Sequence, residues 1–153
     1  MRVALDTNIL AYAEGVGSAE KQQQSLEFLE VVDPTLVVLP SQVLGELYRV
    51  LSGKADRPPG DARAAVLGWA DAFSVADSTW SAFRAAFDLS TDHRLSIWDA
   101  LILSVAAEQK CRVLLSEDLQ HDFTSRGVTV VNPYATQQHP LLIALIDTSG
   151  PLK

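Results

Sequence analysis

The chain has 153 residues, 48% of them hydrophobic, and a formal net charge of −7. That length suits one domain with a substantial core, and no run reaches the roughly 18 apolar residues of a membrane span. The single cysteine, Cys111, excludes an intramolecular disulfide and fits a reducing, cytoplasmic setting; Asp6 breaks the apolar start too early for a signal peptide; and the acidic balance, taken alone, argues against a nucleic-acid binder.

Arg2 to Leu5 reads as a short buried strand that ends on Asp6-Thr7-Asn8, after which Ile9 to Ala13 resume at helical spacing. Ser18 to Val31 reads as a helix with Leu26, Leu29 and Val32 as its apolar residues and a polar Glu20 to Gln24 face. A second strand, Leu36 to Leu39, ends at Pro40 and is followed by an amphipathic helix, Ser41 to Leu51. Gly53 to Gly60 is a loop, because glycine stops one helix and Pro58-Pro59 blocks continuation. Asp61 to Ala72 and Thr79 to Leu89 are Ala-rich helices anchored by Trp69, Trp80, Phe83 and Phe87, with a strand at Phe73 to Ala76 between them. Ile97 to Ala107 is apolar on every side apart from Asp99 and Ser104, the signature of a buried central helix. Strands at Arg112 to Leu115 and Val128 to Val131 follow, and Pro140 to Ile146 forms a further helix or strand in the tail, packed on the domain or at an oligomer contact. Strands alternating with helices of roughly 10–15 residues imply an α/β protein with a mostly parallel, about five-stranded sheet.

Four carboxylates occupy similar places in this pattern. In an open α/β sheet ligands bind outside the carboxyl ends of the strands. Asp6 lies there, as a helix N-cap or as an active-site acid. Glu46 borders the apolar face of Val43, Leu44, Leu47, Val50 and Leu51, one turn into its helix; alone it reads as a boundary residue reaching water. Asp99 completes a Ser96-Ile97-Trp98-Asp99 capping box, yet heads a helix that looks wholly buried. Asp118 follows Ser116 at the end of another strand, with Glu117 and Asp122 as competitors for the same role. Parallel strands finish on one edge, so Asp6, Glu46, Asp99 and Asp118 can converge. Two like charges about 4 Å apart repel by about 4 kcal/mol at an effective dielectric of about 20, so such a cluster needs a cation. An oxygen-only donor set selects Mg²⁺ or Mn²⁺ over Zn²⁺. His93, His121 and His139 lack paired ligand spacing and read as surface residues, and Trp69, Trp80 and Trp98 read as core.

Leu5-Asp6-Thr7-Asn8, Glu46, Ile97-Trp98-Asp99-Ala100 and Leu115-Ser116-Glu117-Asp118-Leu119 together resemble the PIN-domain ribonucleases found as VapC-type toxins of bacterial toxin–antitoxin pairs. The resemblance spans Met1 to about Pro133, dividing the chain into a nuclease domain, 1–133, and a C-terminal extension, 134–153. It implies a three-layer α/β/α fold, a metal-dependent endoribonuclease, a homodimer and a protein antitoxin. It maps Asp6, Glu46, Asp99 and Asp118 as the acidic quartet, with Thr7, Asn8 and Ser116 as supporting polar residues.

On this reading one or two Mg²⁺ or Mn²⁺ ions activate water and stabilise the phosphoryl oxygens. Asn8 and Ser116 orient the carboxylates, and Arg49, Lys54 and Arg57 are candidate contacts to RNA phosphates. Two alternatives remain: a non-catalytic domain that binds RNA or a partner protein, and an aspartyl-phosphate phosphotransfer domain. Against the second, Asn8 stands where a phosphatase needs a second Asp, and Val130 to Tyr134 offers no receiver-type Lys.

Overall fold

A computed structural model describes residues 1–149. The elements run β1 (Arg2–Leu5), α1 (Thr7–Ala13), α2 (Ala19–Val31), a 3₁₀ turn (Pro34–Leu36), β2 (Val37–Pro40), α3 (Ser41–Ser52), α4 (Pro59–Ala72), β3 (Ser74–Ala76), α5 (Trp80–His93), α6 (Ile97–Glu108), β4 (Cys111–Leu115), β5 (Thr124–Ser125), β6 (Val128–Val131) and α7 (Pro140–Ser149). The last four residues of the expected extension lie outside the described residues.

The sheet order is β3-β2-β1-β4-β6-β5. Every pairing is parallel except β5 with β6. From β1 the chain moves outward through β2 to β3, then crosses back to β4 on the other side of β1. Right-handed crossovers therefore put α1 to α4 on one face and α5 and α6 on the other. The packing agrees: α1 lies against α2 and α3, α3 against α4, and α5 against α6. This is the expected three-layer α/β/α arrangement. The reversal of direction makes the carboxyl ends of β1 and β4 a topological switch point, where such folds form their binding crevice.

The central strands are buried on both faces, which explains their continuous Val/Leu runs. Ala100 to Ala106 of α6 are all buried, as the all-round apolar pattern requires. Cys111, at the start of β4, is buried, and burial pushes its thiol up to about 11.

Several expectations need correction. A sixth strand exists: β5 forms a hairpin with β6 through Arg126-Gly127, both at positive φ (51° and 82°), as a two-residue primed turn demands. With two residues it is too short to leave an alternation in the sequence. Helix α4 starts at Pro59, earlier than Asp61, because proline is tolerated at the first helical position. On α2 the buried positions are Ser25 and Phe28, with the expected Val32 buried at its C-cap, while Leu26 is 46% exposed. Of the aromatic residues expected to anchor α5, only Phe83 packs against the core. Ala82, Ala86 and Leu89, at i, i+4 and i+7, form the buried stripe, and this register turns Trp80 (68% exposed) and Phe87 (46%) outward. Trp98 is also outside, at 56%, because it precedes the buried run that starts at Ala100. Of the three tryptophans only Trp69 packs partly against the core. His139 is half-buried: its Nε2 faces Asp122 at 2.8 Å, and its Nδ1 accepts from the Leu141 N–H at the start of α7. Leu142 and Leu145 of α7 join the main core, and the helix packs on α2.

Candidate active site

Asp6 sits one residue beyond β1, and its N–H continues the ladder to Leu115 O at 2.9 Å. Extended backbone at Asp6 (φ −81°, ψ 167°) then turns into α1, so the carboxylate caps that helix. The capping reading is thus half of the answer. Oδ1 accepts the Thr7 N–H at 2.7 Å, while Oδ2 accepts the hydroxyl of Ser116 at 2.7 Å across the β1–β4 junction. Only 5% of Asp6 is exposed. Burial pushes its carboxyl up to about 6, against the pull of the Ser116 and Thr7 bonds, and the charges of Glu46 and Asp118 add to the rise.

Ser116 is fully buried and does more than hold Asp6. Its Oγ accepts the N–H groups of Asp118 (3.2 Å) and Leu119 (3.3 Å), folding the chain into a turn at the end of β4. That turn leaves the Asp118 side chain exposed on the wall of the crevice. Asn8 reaches the same turn, its Oδ1 accepting the Glu117 N–H at 3.4 Å; its Nδ2 is buried without a partner.

Glu46 is half-buried on α3. Its Oε2 accepts from the Thr7 hydroxyl at 2.7 Å and its Oε1 from Gln42 Nε2 at 2.9 Å. Gln42 also donates to the Trp98 carbonyl at 3.2 Å, tying α3 to the first turn of α6. Gln42 escaped the sequence reading, although its place four residues before Glu46 is the spacing of a helical side-chain pair. Asp99 lies in that first turn. Its N–H is capped by Ser96 Oγ at 3.1 Å, so the Ser96 half of the capping box is real. Burial raises the Asp99 carboxyl above its ordinary value; Ser96 opposes this, and the charges of Glu46 and Asp118 reinforce it.

Thr7, Asn8, Tyr12, Glu46 and Asp118 line a crevice of about 340 Å³ between α1 and α3. Arg49 and Lys54 are among its lining residues. Arg57 is not: its guanidinium pairs with Glu14 at 2.7 Å and also donates to the Glu14 carbonyl. The competing acids are engaged elsewhere too, Glu117 with Tyr12 and Lys21 and Asp122 with His139. Glu46 and Asp118 thus stand on the crevice wall, and the charge of each raises the carboxyls of Asp6 and Asp99, which are not among the residues that line it.

Among the described residues, no three acidic, His or Cys side chains close on a point as a ready cage for a metal ion. The donor chemistry nevertheless fits a hard divalent cation. All four groups are carboxylates, and Asp6 has its ionised form disfavoured by burial and by two like charges. The buried Gln42 Oε1 lacks a partner and is suited to accept from water. Mg²⁺ usually keeps several waters and needs only one or two carboxylates, so a closed cage is not its requirement.

The sequence pattern of the PIN domain matches residues 3–125. The chain belongs to the PIN-domain family. Solved structures share this PIN fold. VapC20 from Mycobacterium tuberculosis, a sarcin-ricin loop cleaving toxin, superposes with a TM-score of 0.61 at 21% identity, over 76% of this chain and 91% of that one. A toxin–antitoxin complex from Klebsiella pneumoniae gives 0.65 at 20% identity, covering 86% and 98%. VapBC2 from Rickettsia felis, bound to a DNA fragment from its promoter, gives 0.62 at 16%, covering 85% and 97%. No curated protein sequence matches the chain significantly. Among the described residues, no helix of this PIN domain is long and apolar enough to cross a membrane.

Proposed function

We propose that this PIN domain is a divalent-cation-dependent endoribonuclease and the toxin of a toxin–antitoxin pair. The observation that carries this reading is Asp6: a buried carboxylate at the β1–β4 switch point, gripped by Ser116 and the Thr7 N–H, with its carboxyl pushed up to about 6 beside Glu46 and Asp118. A strongly perturbed acid beside a crevice is a functional-site candidate.

Asp6, Asp99 and Asp118 would hold one or two Mg²⁺ or Mn²⁺ ions. Such an ion, when bound, lowers the pKa of water and neutralises charge on phosphoryl oxygens. Glu46 is held at both oxygens by Thr7 and Gln42, which fixes it to receive a proton from the attacking water. Ser116 locks the orientation of Asp6, and Asn8 braces the Asp118 turn, tasks suited to outer partners of a metal site. Arg49 and Lys54 would meet RNA phosphates at the crevice, giving an acidic protein a local cationic contact. No histidine is needed as a base, and His121 and His139 are engaged with Asn132 and Asp122.

The toxin role is supported by the solved relatives, which include toxin–antitoxin complexes. Exposed Trp80 and Phe87, with rings 6.1 Å apart, form an apolar surface suited to a second copy or an antitoxin. Residues 1–133 would constitute the nuclease domain, with residues 134–153 as its extension and the cytoplasm as its place of action.

The test is cleavage of labelled total RNA by purified protein with Mg²⁺, Mn²⁺ or EDTA, alongside Asp6→Asn. Discrete products that vanish with EDTA and with the substitution are expected. The capping of α1 by Asp6 and of α6 by Ser96 favours a second reading, a non-catalytic RNA- or partner-binding domain whose acids serve the fold. Intact RNA after incubation with folded, partner-free protein and Mn²⁺ would move the conclusion to it.

A further inference from the structure

Glu117 stands between Ser116, which holds Asp6, and Asp118, which lines the crevice. Glu117 itself is not among the residues that line the crevice. One carboxylate oxygen accepts the Tyr12 hydroxyl and the other pairs with the Lys21 ammonium. Lys21 Nζ lies 5.0 Å from the centre of the Tyr12 ring and 5.6 Å from that of Tyr134. The two rings meet edge to face at 5.3 Å, and the Tyr134 hydroxyl bonds Ser25 Oγ at 2.7 Å. Thus α1 (Tyr12) and α2 (Lys21) hold the Glu117 carboxylate directly, and Tyr134, after β6, backs both of those side chains while bonded to Ser25.

We propose that Glu117 is a positioning residue: held by Tyr12 and Lys21, it fixes the Ser116–Asp118 turn and so sets how Asp118 stands relative to Asp6. A change in the Glu117 backbone would swing both neighbours, because Ser116 and Asp118 share its two peptide bonds. The pair is ill suited to being chiefly a fold stabiliser. Lys21 and Glu117 are 36% and 21% exposed, and partly exposed ion pairs contribute little to global stability. A misplacement of about 1 Å in a reacting constellation, by contrast, can cost about 100-fold in rate. The catalytic consequence rests on the nuclease reading; the control of the turn does not.

The experiment compares wild type with Glu117→Gln, Lys21→Met, Tyr12→Phe and the Lys21→Met/Glu117→Gln double variant, all in the full chain. Amide hydrogen exchange over residues 116–119 is expected to speed up by about tenfold in Glu117→Gln and Lys21→Met while thermal melting barely moves. Mn²⁺ affinity, read by electron paramagnetic resonance, and kcat for RNA cleavage are expected to fall together by about 10-fold or more, with KM for RNA unchanged. The double variant should be no worse than Glu117→Gln alone, since the residues act as a unit, and Lys21→Arg should recover most of the loss. Exchange in Glu117→Gln within twofold of wild type would overturn the proposal, as would faster exchange with unaltered Mn²⁺ affinity and kcat. A wild type that neither binds Mn²⁺ nor cuts RNA would defeat the nuclease reading instead, and the exchange rates would still decide whether Glu117 sets the turn.

Discussion

Asp6 concentrates the tension in the molecule between folding and function. Its carboxyl is raised from 3.8 to about 6 in the folded protein. A raised carboxyl contributes stability that is fully present below the unfolded value and is lost as pH rises through the folded one. Metal-free wild type is therefore expected to lose on the order of 2 kcal/mol of stability from this group between about pH 4 and pH 7. Asp6→Asn removes that loss and should match or exceed wild type at pH 8 without metal. Urea unfolding of both proteins across about pH 4 to pH 8 measures it; a large deficit in Asp6→Asn at the alkaline end would mean that the cap outweighs the charge. The position of Asp6 was legible because a short apolar strand ends on it. Asp118 was preferred to Glu117 and Asp122 only through the family resemblance, since spacing left the three open. Those three acids differ only in their partners, Lys21, Tyr12 and His139, which are distant in sequence and meet only after folding.

At the scale of elements, the site depends on how α1 leaves β1 and how it stops. Gly17 follows α1 at φ +91°, and a Cβ there would meet the Tyr12 ring at 3.0 Å. Gly17→Ala should thus destabilise by about 1 kcal/mol or more from backbone strain alone. It should also displace the ring that lines the crevice, visible as a changed near-ultraviolet circular dichroism signal. An unchanged melting temperature and spectrum would count against this account of the turn. The buried strands and α6 were readable because a parallel sheet covered on both faces needs continuous apolar runs. The outer helices were harder. On α5 Ala82, Ala86 and Leu89 took the buried stripe, Phe83 packed at its edge, and Trp80 and Phe87 went outside, which inverts the usual expectation that large aromatics anchor. Small residues allow α5 and α6 to approach closely, and only the packed pair reveals that choice.

At the scale of the whole molecule, the C-terminal segment is not an appendage. Leu142 and Leu145 are buried in the main core, and Tyr134 closes on α1 and α2. Removing residues 134–153 is expected to cost at least about 3 kcal/mol, from the lost burial of two leucines and the surface uncovered beneath them. A denaturant midpoint equal to that of the full chain would refute this. The family pattern ends at residue 125, short of these contacts, so the tail had to be placed by packing. Cys111 offers a way to follow such losses in time. It is the chain's only cysteine, buried where β4 begins, with its thiol held up near 11. A thiol reagent can reach it only when the central strand opens, so the wild-type protein carries its own unfolding clock. The rate of labelling in strong reagent would report the lifetime of the native sheet, without any added probe.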